Sequence, residues 1–274
     1  MSSDAQPTAA PLPAVAGVDV VAPMRWLVAG VRDFRANPLP SMFYGTCFAA
    51  MAWLVTLAMR HAFELASALT TGFFLVGPFL AIGIYDLSRR RERGERVLLA
   101  PTLDAWRANT GAIGVFALVL TVVLLVWARA SLIVFALFYN GGMPTLASFV
   151  QQLASPSNVE FLLAYACVGG FFALLTFAVS VISVPMMLDR HVDGVVAVLT
   201  SLRAFGANVP AMIVWALLIV IVIACGFALL LVGLVVAVPV IGHATWHAYR
   251  ELAPPIDVAT SIAGEGRPAR DGAA

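Results

Sequence analysis

Long apolar runs separated by short polar segments dominate the chain, and they predict membrane-spanning helices. A helix that crosses a hydrocarbon core of about 30 Å needs about 20 apolar residues. Apolar runs of that length occupy residues 42–60, 65–87, 111–139, 159–187 and 209–250. As one helix the last run would be roughly 63 Å long, so we expect a turn near Gly226 or Gly233 that gives spans 209–228 and 230–250. No polar residue marks this turn. An alternative is therefore that residues 209–250 form one continuous element, which would give five membrane-spanning elements in the chain.

Composition agrees with a membrane protein and argues against several other classes. Of the 274 residues, 61% are hydrophobic and 11% are charged, and the mean hydropathy is +0.94. Soluble domains carry about 25% charged residues. The net charge of +1 gives no basic field for nucleic acid, and the three cysteines form no CxxC pair that would indicate a disulfide framework or a thiolate metal site. The predicted fold class is an all-α integral membrane protein with six transmembrane helices.

The distribution of arginine predicts the orientation of these spans. The chain has no lysine, and all but two of its 16 basic residues lie before span 1, between spans 2 and 3, between spans 4 and 5, or after span 6. The positive-inside rule makes that side cytoplasmic. Residues 88–110 are therefore expected inside, residues 140–157 outside, and both termini in the cytoplasm. Arg60 and Arg129 are the two exceptions.

The sequence predicts a tail on each side of the membrane domain. The first residues mix Asp4 and Asp19 with proline and alanine and have no basic stretch before an apolar core, so they do not resemble a signal peptide. We predict disordered tails at 1–23 and 253–274, with the six-span membrane domain at 24–252.

A short pattern recurs three times at the cytoplasmic start of an outgoing span. Its copies are Phe34-Arg35-Ala36-Asn37, Trp106-Arg107-Ala108-Asn109 and Phe205-Gly206-Ala207-Asn208. Asparagine is a favoured helix N-cap, and an aromatic residue three positions earlier suits the headgroup depth of an interfacial helix. Each returning span carries a proline: Pro78, Pro185 and Pro239. These marks predict three parallel-repeat hairpins around an axis near the membrane normal, each preceded by a short cytoplasmic interfacial helix and capped by Asn37, Asn109 or Asn208.

The middle hairpin differs from the other two by an insert on its outer side. Residues 146–153 place apolar side chains on one helical face, and Ser157 and Glu160 form a capping box that opens span 4. A ligand or partner met outside the membrane would be expected here.

Three segments of the chain resemble a known family. They are Gly72–Tyr85 followed by the Arg-rich stretch 88–95, an upstream group with Asp33, Asn37, Pro38, Tyr44 and Gly45, and the segment Gly242–Arg250. Together they resemble a bacterial family of predicted integral membrane proteins that is catalogued as a domain of unknown function. The resemblance covers about residues 25–252. It implies a multi-pass protein of the bacterial inner membrane and supplies no activity.

His243 and His247 are the first candidates for chemistry. They stand four residues apart on one face of span 6, which is a spacing compatible with a metal or haem site. Two histidines one turn apart cannot ligate both faces of one haem, and the remaining His61 and His191 lie at other depths. The alternative is an aromatic-belt end, in which two hydrogen-bonded imidazoles share the interface with Trp246 and Tyr249. We therefore predict no cofactor and no metal.

The other candidates are charged residues near the ends of spans. Arg129 lies ~27 Å along span 3, where it can reach the outer interface or bind an anion or partner, paired with Glu160 or Glu64. Asp86 and Asp189 close spans 2 and 4 and are expected to form ion pairs with neighbouring arginines.

No sequence motif indicates a reaction. Walker, HExxH, GxSxG and dinucleotide fingerprints do not occur in the chain. We therefore expect a non-enzymatic accessory or scaffold component of a membrane complex, in contact with the bilayer and with another membrane protein. A small-solute channel or transporter is the first alternative, and a haem- or metal-binding respiratory subunit is the second. The run Arg89–Arg96 is a candidate for contact with anionic lipid headgroups.

Overall fold

A computed structural model describes residues 12–61, 63–138, 159–190 and 192–255, and all regular structure within these ranges is helical. The helices are α1 (Ala22–Ala36), α2 (Pro38–His61), α3 (Phe63–Glu92), α4 (Leu99–Leu103), the 3-10 helix η1 (Ala105–Asn109), α5 (Thr110–Phe138), α6 (Val159–Ser180), α7 (Ser183–Asp189), α8 (Gly194–Ala207), α9 (Val209–Ala228) and α10 (Leu234–Leu252).

Four helical segments within the described residues are long and apolar enough to cross a membrane. They are Pro38–Arg60, Ala105–Phe138, Val159–Asp189 and Val209–Ala228. These correspond to predicted spans 1, 3, 4 and 5. The predicted spans 2 and 6 coincide with α3 and α10, which are helical but fall outside that set. The fourth predicted span is interrupted by a turn at Val181 and Ile182, so α6 and α7 are separate helices.

The apolar run 209–250 contains two helices and not one. Residues 229–233 form a tight turn in which Leu230 and Leu231 have φ angles of 55° and 66°. Gly226 and Gly233 lie against each other at this turn, because a Cβ on Gly233 would be 2.8 Å from the Cα of Gly226. The single continuous element is therefore wrong, and the turn lies beside the glycines that the sequence indicated.

The helix α10 lies among α1, α2, α3 and α9. Two glycines allow its backbone to be approached closely. A Cβ on Gly45 of α2 would lie 2.1 Å from the carbonyl oxygen of Val235, and one on Gly30 of α1 would lie 2.5 Å from that of Val240. Since real Cβ contacts of this length do not occur, both positions require the absence of a side chain.

Residues 12–21 pack against the bundle, so the prediction of a disordered tail at 1–23 is wrong for this stretch, while residues 1–11 lie outside the described residues. The amide of Ala16 donates to the carbonyl of Leu252 at 2.9 Å, and Pro13 is buried. Val15 and Val18 pack on the main apolar core. The physical reason is that this segment satisfies its backbone through Asn208, whose side chain accepts from the amide of Val18 and donates to the carbonyl of Ala16.

The three repeated asparagines all lie between a shorter helix and a longer one, but their side chains act differently. Asn109 accepts from the amide of Ala112 at 3.4 Å, in the manner of a cap. Asn208 occupies the N-cap position of α9 but makes no side-chain cap bond. The expected capping role is wrong there, because the amide group is already bonded to the N-terminal segment. Asn37 ends α1, and its carbonyl accepts from the amide and hydroxyl of Ser41.

Candidate functional site

A buried polar cluster joins four helices at one end of the bundle. His243 of α10 is 1% exposed, and its ring lies between two serines. Its Nε2 is 2.9 Å from the hydroxyl of Ser41 on α2, and its Nδ1 is 2.7 Å from the hydroxyl of Ser88 on α3. Asp33 of α1 accepts from Ser88 at 2.7 Å and lies 3.0 Å from Nε2 of His247. We call these five residues the His243 cluster.

The hydroxyl protons of Ser41 and Ser88 are both used in hydrogen bonds to acceptors other than His243. These bonds determine which hydrogen bonds the His243 ring can form. Ser41 donates to the carbonyl of Asn37 at 2.7 Å, and Ser88 donates to Asp33. A hydroxyl has one proton and two lone pairs. Both serine oxygens can therefore only accept from His243, and a ring that satisfies both must carry a proton on each nitrogen. A neutral ring satisfies only one of them unless a hydroxyl turns away from its present acceptor.

Asp33 supplies the negative charge of the cluster. Arg91 lies 3.0 Å from its second carboxylate oxygen and also donates to the carbonyl of Arg32. Burial raises the pKa of the Asp33 carboxyl, but the hydrogen bonds from His247 and Ser88 and the nearby histidine charges outweigh it and lower the pKa below its usual value. The carboxylate is therefore the stable form at neutral pH.

The two aspartates that close predicted spans 2 and 4 form the ion pairs expected of them. Asp86 is fully buried, and its carboxylate forms ion pairs with Arg89 at 2.5 Å and with Arg90 at 2.8 Å. Asp189 accepts a hydrogen bond from the hydroxyl of Tyr249 at 2.8 Å and forms an ion pair with Arg93 at 3.1 Å. These pairs, with the His243 cluster, define what we call the arginine-rich end of the bundle.

The aromatic residues beside the histidines are buried, so they are not an interfacial belt. Trp246 and Tyr249 are both 0% exposed, and the Trp246 ring N–H donates to Glu92 at 2.9 Å. Trp26 does the same on α1, where it donates to Glu251 at 2.7 Å. The expected belt is wrong because these rings pack inside the bundle, and each tryptophan N–H reaches a partly exposed glutamate at its edge, which lets the ring be buried without leaving the N–H unsatisfied.

Arg129 and Glu160 are not brought together. The pair of helices that carries them is antiparallel, with Ser131 on α5 bonded to Tyr165 on α6 at 3.2 Å. Glu160, at the start of α6, is therefore displaced along the pair from Arg129. Both side chains are exposed, and neither forms an ion pair within the described part of the chain. The predicted outer insert at residues 140–157 lies outside the described residues, and so does His191.

Sequence reasoning found His243 and His247 but missed the residues that surround them. Asp33, Ser41 and Ser88 come from three helices far apart in the chain, and no local spacing connects them. One signal was present, since these residues lie in or beside the three segments on which the family resemblance rests. Those segments meet at the arginine-rich end.

Comparison with known proteins supports membrane insertion and supplies no chemistry. Residues 65–189 match a family described as predicted integral membrane protein (DUF2189). The matched range runs from α3 to the end of α7 and contains Ser88, Asp86 and Asp189 of the arginine-rich end. No curated protein and no solved structure matches the chain. With its apolar helices, the chain is an integral, multi-pass membrane protein in contact with the lipid bilayer. The resemblance at residues 25–64 and 190–252 stays a prediction.

Proposed function

We propose that this protein is a non-enzymatic accessory or scaffold component of a membrane complex, with six spans and both termini on the cytoplasmic side of a bacterial inner membrane. Its polar groups at the arginine-rich end are used to hold its own helices together. Among the described residues, the hairpin of α5 and α6 carries an exposed apolar face.

The packing around α10 supports the two additional spans. Along α2 and α10, Ser41 lies opposite His243 and Gly45 opposite Val235, so these helices are antiparallel. Along α3 and α10, Ile84 lies beside Gly242 and Glu92 beside Trp246, so these two are parallel. If α2 crosses the bilayer from the inside to the outside, then α3 and α10, which lie beside it and run in the opposite direction, cross from the outside to the inside. Their 30 and 19 residues correspond to about 45 and 28 Å.

The threefold repeat is part of the proposal. The pairs α2–α3, α5–α6 and α9–α10 each follow a shorter helical element and one of the repeated asparagines. The element before α5 is broken into α4 and η1, whereas α1 and α8 are continuous helices. Superposition of the three pairs by a rotation of roughly 120° about the membrane normal would support a common repeat unit.

The observation that carries the accessory role is the uncovered face of α5 and α6. Leu118 and Leu125 of α5 are 64% and 60% exposed, and Leu163 of α6 is 61% exposed. Gly170 lies in the middle of the α6 face, and a Cβ there would have nothing within 4 Å. Small residues on an exposed membrane helix allow a second helix to approach closely. We infer that a transmembrane helix of another protein packs on this face.

Enlarging Gly170 tests this role without disturbing the fold. Gly170→Leu has room in the isolated protein but would obstruct a helix packed on α6. In native membranes solubilised in mild detergent, the wild-type chain should migrate in a complex larger than itself, and Gly170→Leu should release it. Ala224→Leu, on an exposed face of α9, is the matched control and should leave the complex intact. Migration of the wild type alone, or equal loss in both variants, would contradict the proposal.

The alternative functions receive less support. A channel for a small solute needs polar groups along its path, whereas the described polar clusters lie at the arginine-rich end. A haem-binding role would use His243 as an axial ligand, but that would break its bonds to Ser41 and Ser88. An enzyme would need a substrate to reach the His243 cluster, whose central ring is 1% exposed.

Anionic headgroups at Arg89–Arg96 are a weaker part of the proposal. Arg89 and Arg90 are paired with Asp86, and Arg91 is paired with Asp33. A guanidinium already bound to a carboxylate attracts a phosphate less. Of this run, Arg96 remains available within the described residues, where it forms no ion pair.

A further inference from the structure

The surface of α1 that faces away from the bundle is a groove of mixed apolar and basic character. It is open to its surroundings, has a volume of about 440 Å³, and is lined by residues of α1 alone: Leu27, Val28, Val31, Arg32 and Arg35. Val28 is 57% exposed. Its walls other than the two guanidinium groups are aliphatic.

The opposite face of α1 holds this groove in a fixed position. Trp26 and Asp33 are buried and bonded to Glu251 and His247 of α10. Gly30 lies directly against the backbone of Val240. Because one face of α1 is anchored along its length, the groove is presented outward and does not depend on a flexible loop.

Two arginines at one end of the groove have no partner within the described residues. Arg32 and Arg35 form no ion pair, and their guanidinium groups make no hydrogen bond there. Arg89, Arg91 and Arg93, in contrast, are each paired with an aspartate. Residues three apart on a helix are neighbours, about 5–6 Å between Cβ atoms. The two guanidinium groups can therefore reach the same phosphate, and arginine binds phosphate through paired N–H groups.

We propose that this groove binds one phospholipid with an anionic headgroup. The phosphate is held by Arg32 and Arg35, and the first part of an acyl chain lies on Leu27, Val28 and Val31. The exposed apolar surface accounts for a lipid chain, and the adjacent unpaired charges account for a negative headgroup. The proposal rests on the protein being embedded in a membrane and is independent of the accessory role.

Native mass spectrometry of the full chain in mild detergent tests the site, with phosphatidylglycerol and phosphatidylcholine added in equal amount. The wild type should retain one molecule of phosphatidylglycerol in preference to phosphatidylcholine. Each guanidinium near an anionic headgroup contributes about fivefold in affinity, so the double variant R32Q/R35Q should bind phosphatidylglycerol about 25-fold more weakly. Its binding of phosphatidylcholine should be unchanged. V28N should weaken the binding of both lipids, because it removes the acyl contact.

A control with the same change of net charge separates this site from general attraction. Arg60 and Arg203 are exposed and form no ion pair within the described part of the chain, so R60Q/R203Q should bind phosphatidylglycerol as the wild type does. Equal loss in both double variants would show a nonspecific charge effect. Full retention of phosphatidylglycerol by R32Q/R35Q, or displacement of the lipid by inorganic phosphate at equal concentration, would overturn the proposal.

Discussion

Asp33→Asn is the change that most directly removes the electrostatic contribution of the His243 cluster. The substitution keeps the shape of the side chain and removes its charge. The Asp33 side chain is 9% exposed and contacts Arg91, His247 and Ser88. An asparagine can accept a bond on one side only, and its NH₂ group would face a donor on the other.

The expected loss of stability follows from these three contacts. Breaking a fully buried ion pair costs about 3–5 kcal/mol. The side chains of Arg91 and His247 are 33% and 32% exposed, so solvent screening reduces their contributions to about 1 kcal/mol each or less. The bond from Ser88 is buried and contributes about 1 kcal/mol. The total is about 2–3 kcal/mol, which corresponds to a decrease in Tm of roughly 5–10 °C for a domain near this size.

Thermal unfolding in detergent, followed by loss of the monodisperse size-exclusion peak, measures this difference. Asp104→Asn is the matched control because Asp104 is 63% exposed and pairs only with Arg107, at 3.3 Å. Its Tm should equal that of the wild type. Since the folded-state pKa of Asp33 is lowered, its stabilisation is fully present above the unfolded-state pKa and is lost as pH falls through the folded-state pKa. Asp33→Asn should lack this acid-dependent loss. Equal Tm values for Asp33→Asn and Asp104→Asn would refute the reasoning.

Three further predictions test other parts of the account. Gly45→Val should abolish recovery of folded protein, because its Cβ would meet Val235, whereas Gly114→Val, which has open space, should fold normally. The yield of monodisperse protein measures both, and equal yields would contradict the close packing of α2 and α10. Purified protein should show no Soret absorption, and a stoichiometric Soret band that disappears in His243→Ala would promote the haem-binding alternative. A reporter that is active only outside the inner membrane should be inactive when fused at Gly94 and active when fused at Ser148, and the opposite pattern would reverse the orientation.

The positions of the helices could be predicted from the sequence because bilayer thickness imposes a length on each apolar run. The turn after Ala228 was placed close to its observed position by helix length alone, and glycines mark it. The packing of residues 12–21 could not be foreseen. Those residues carry no helical periodicity, and they are ordered by a distant side chain, that of Asn208.

The candidate site was only partly predictable for a related physical reason. Spacing along one helix shows which residues share a face, so it identified His243 and His247. It does not show which other helices cover that face. Ser41 and Ser88 are small polar residues in apolar runs, and such residues usually bond to their own helix backbone. Only the packing of α2 and α3 against α10 shows that their hydroxyls also meet the imidazole.

Site-specific photo-crosslinking in native membranes tests the accessory role most directly. A photoreactive residue at Leu118, Leu125 or Leu163 lies on the uncovered face of α5 and α6, and one at Val220 of α9, which is 63% exposed, serves as the control. The account predicts the same discrete protein adduct from the three positions on the α5–α6 face and its disappearance when Gly170→Leu is added, with no such adduct from Val220. Crosslinking of all four positions to lipid alone, or an adduct that survives Gly170→Leu, would contradict it.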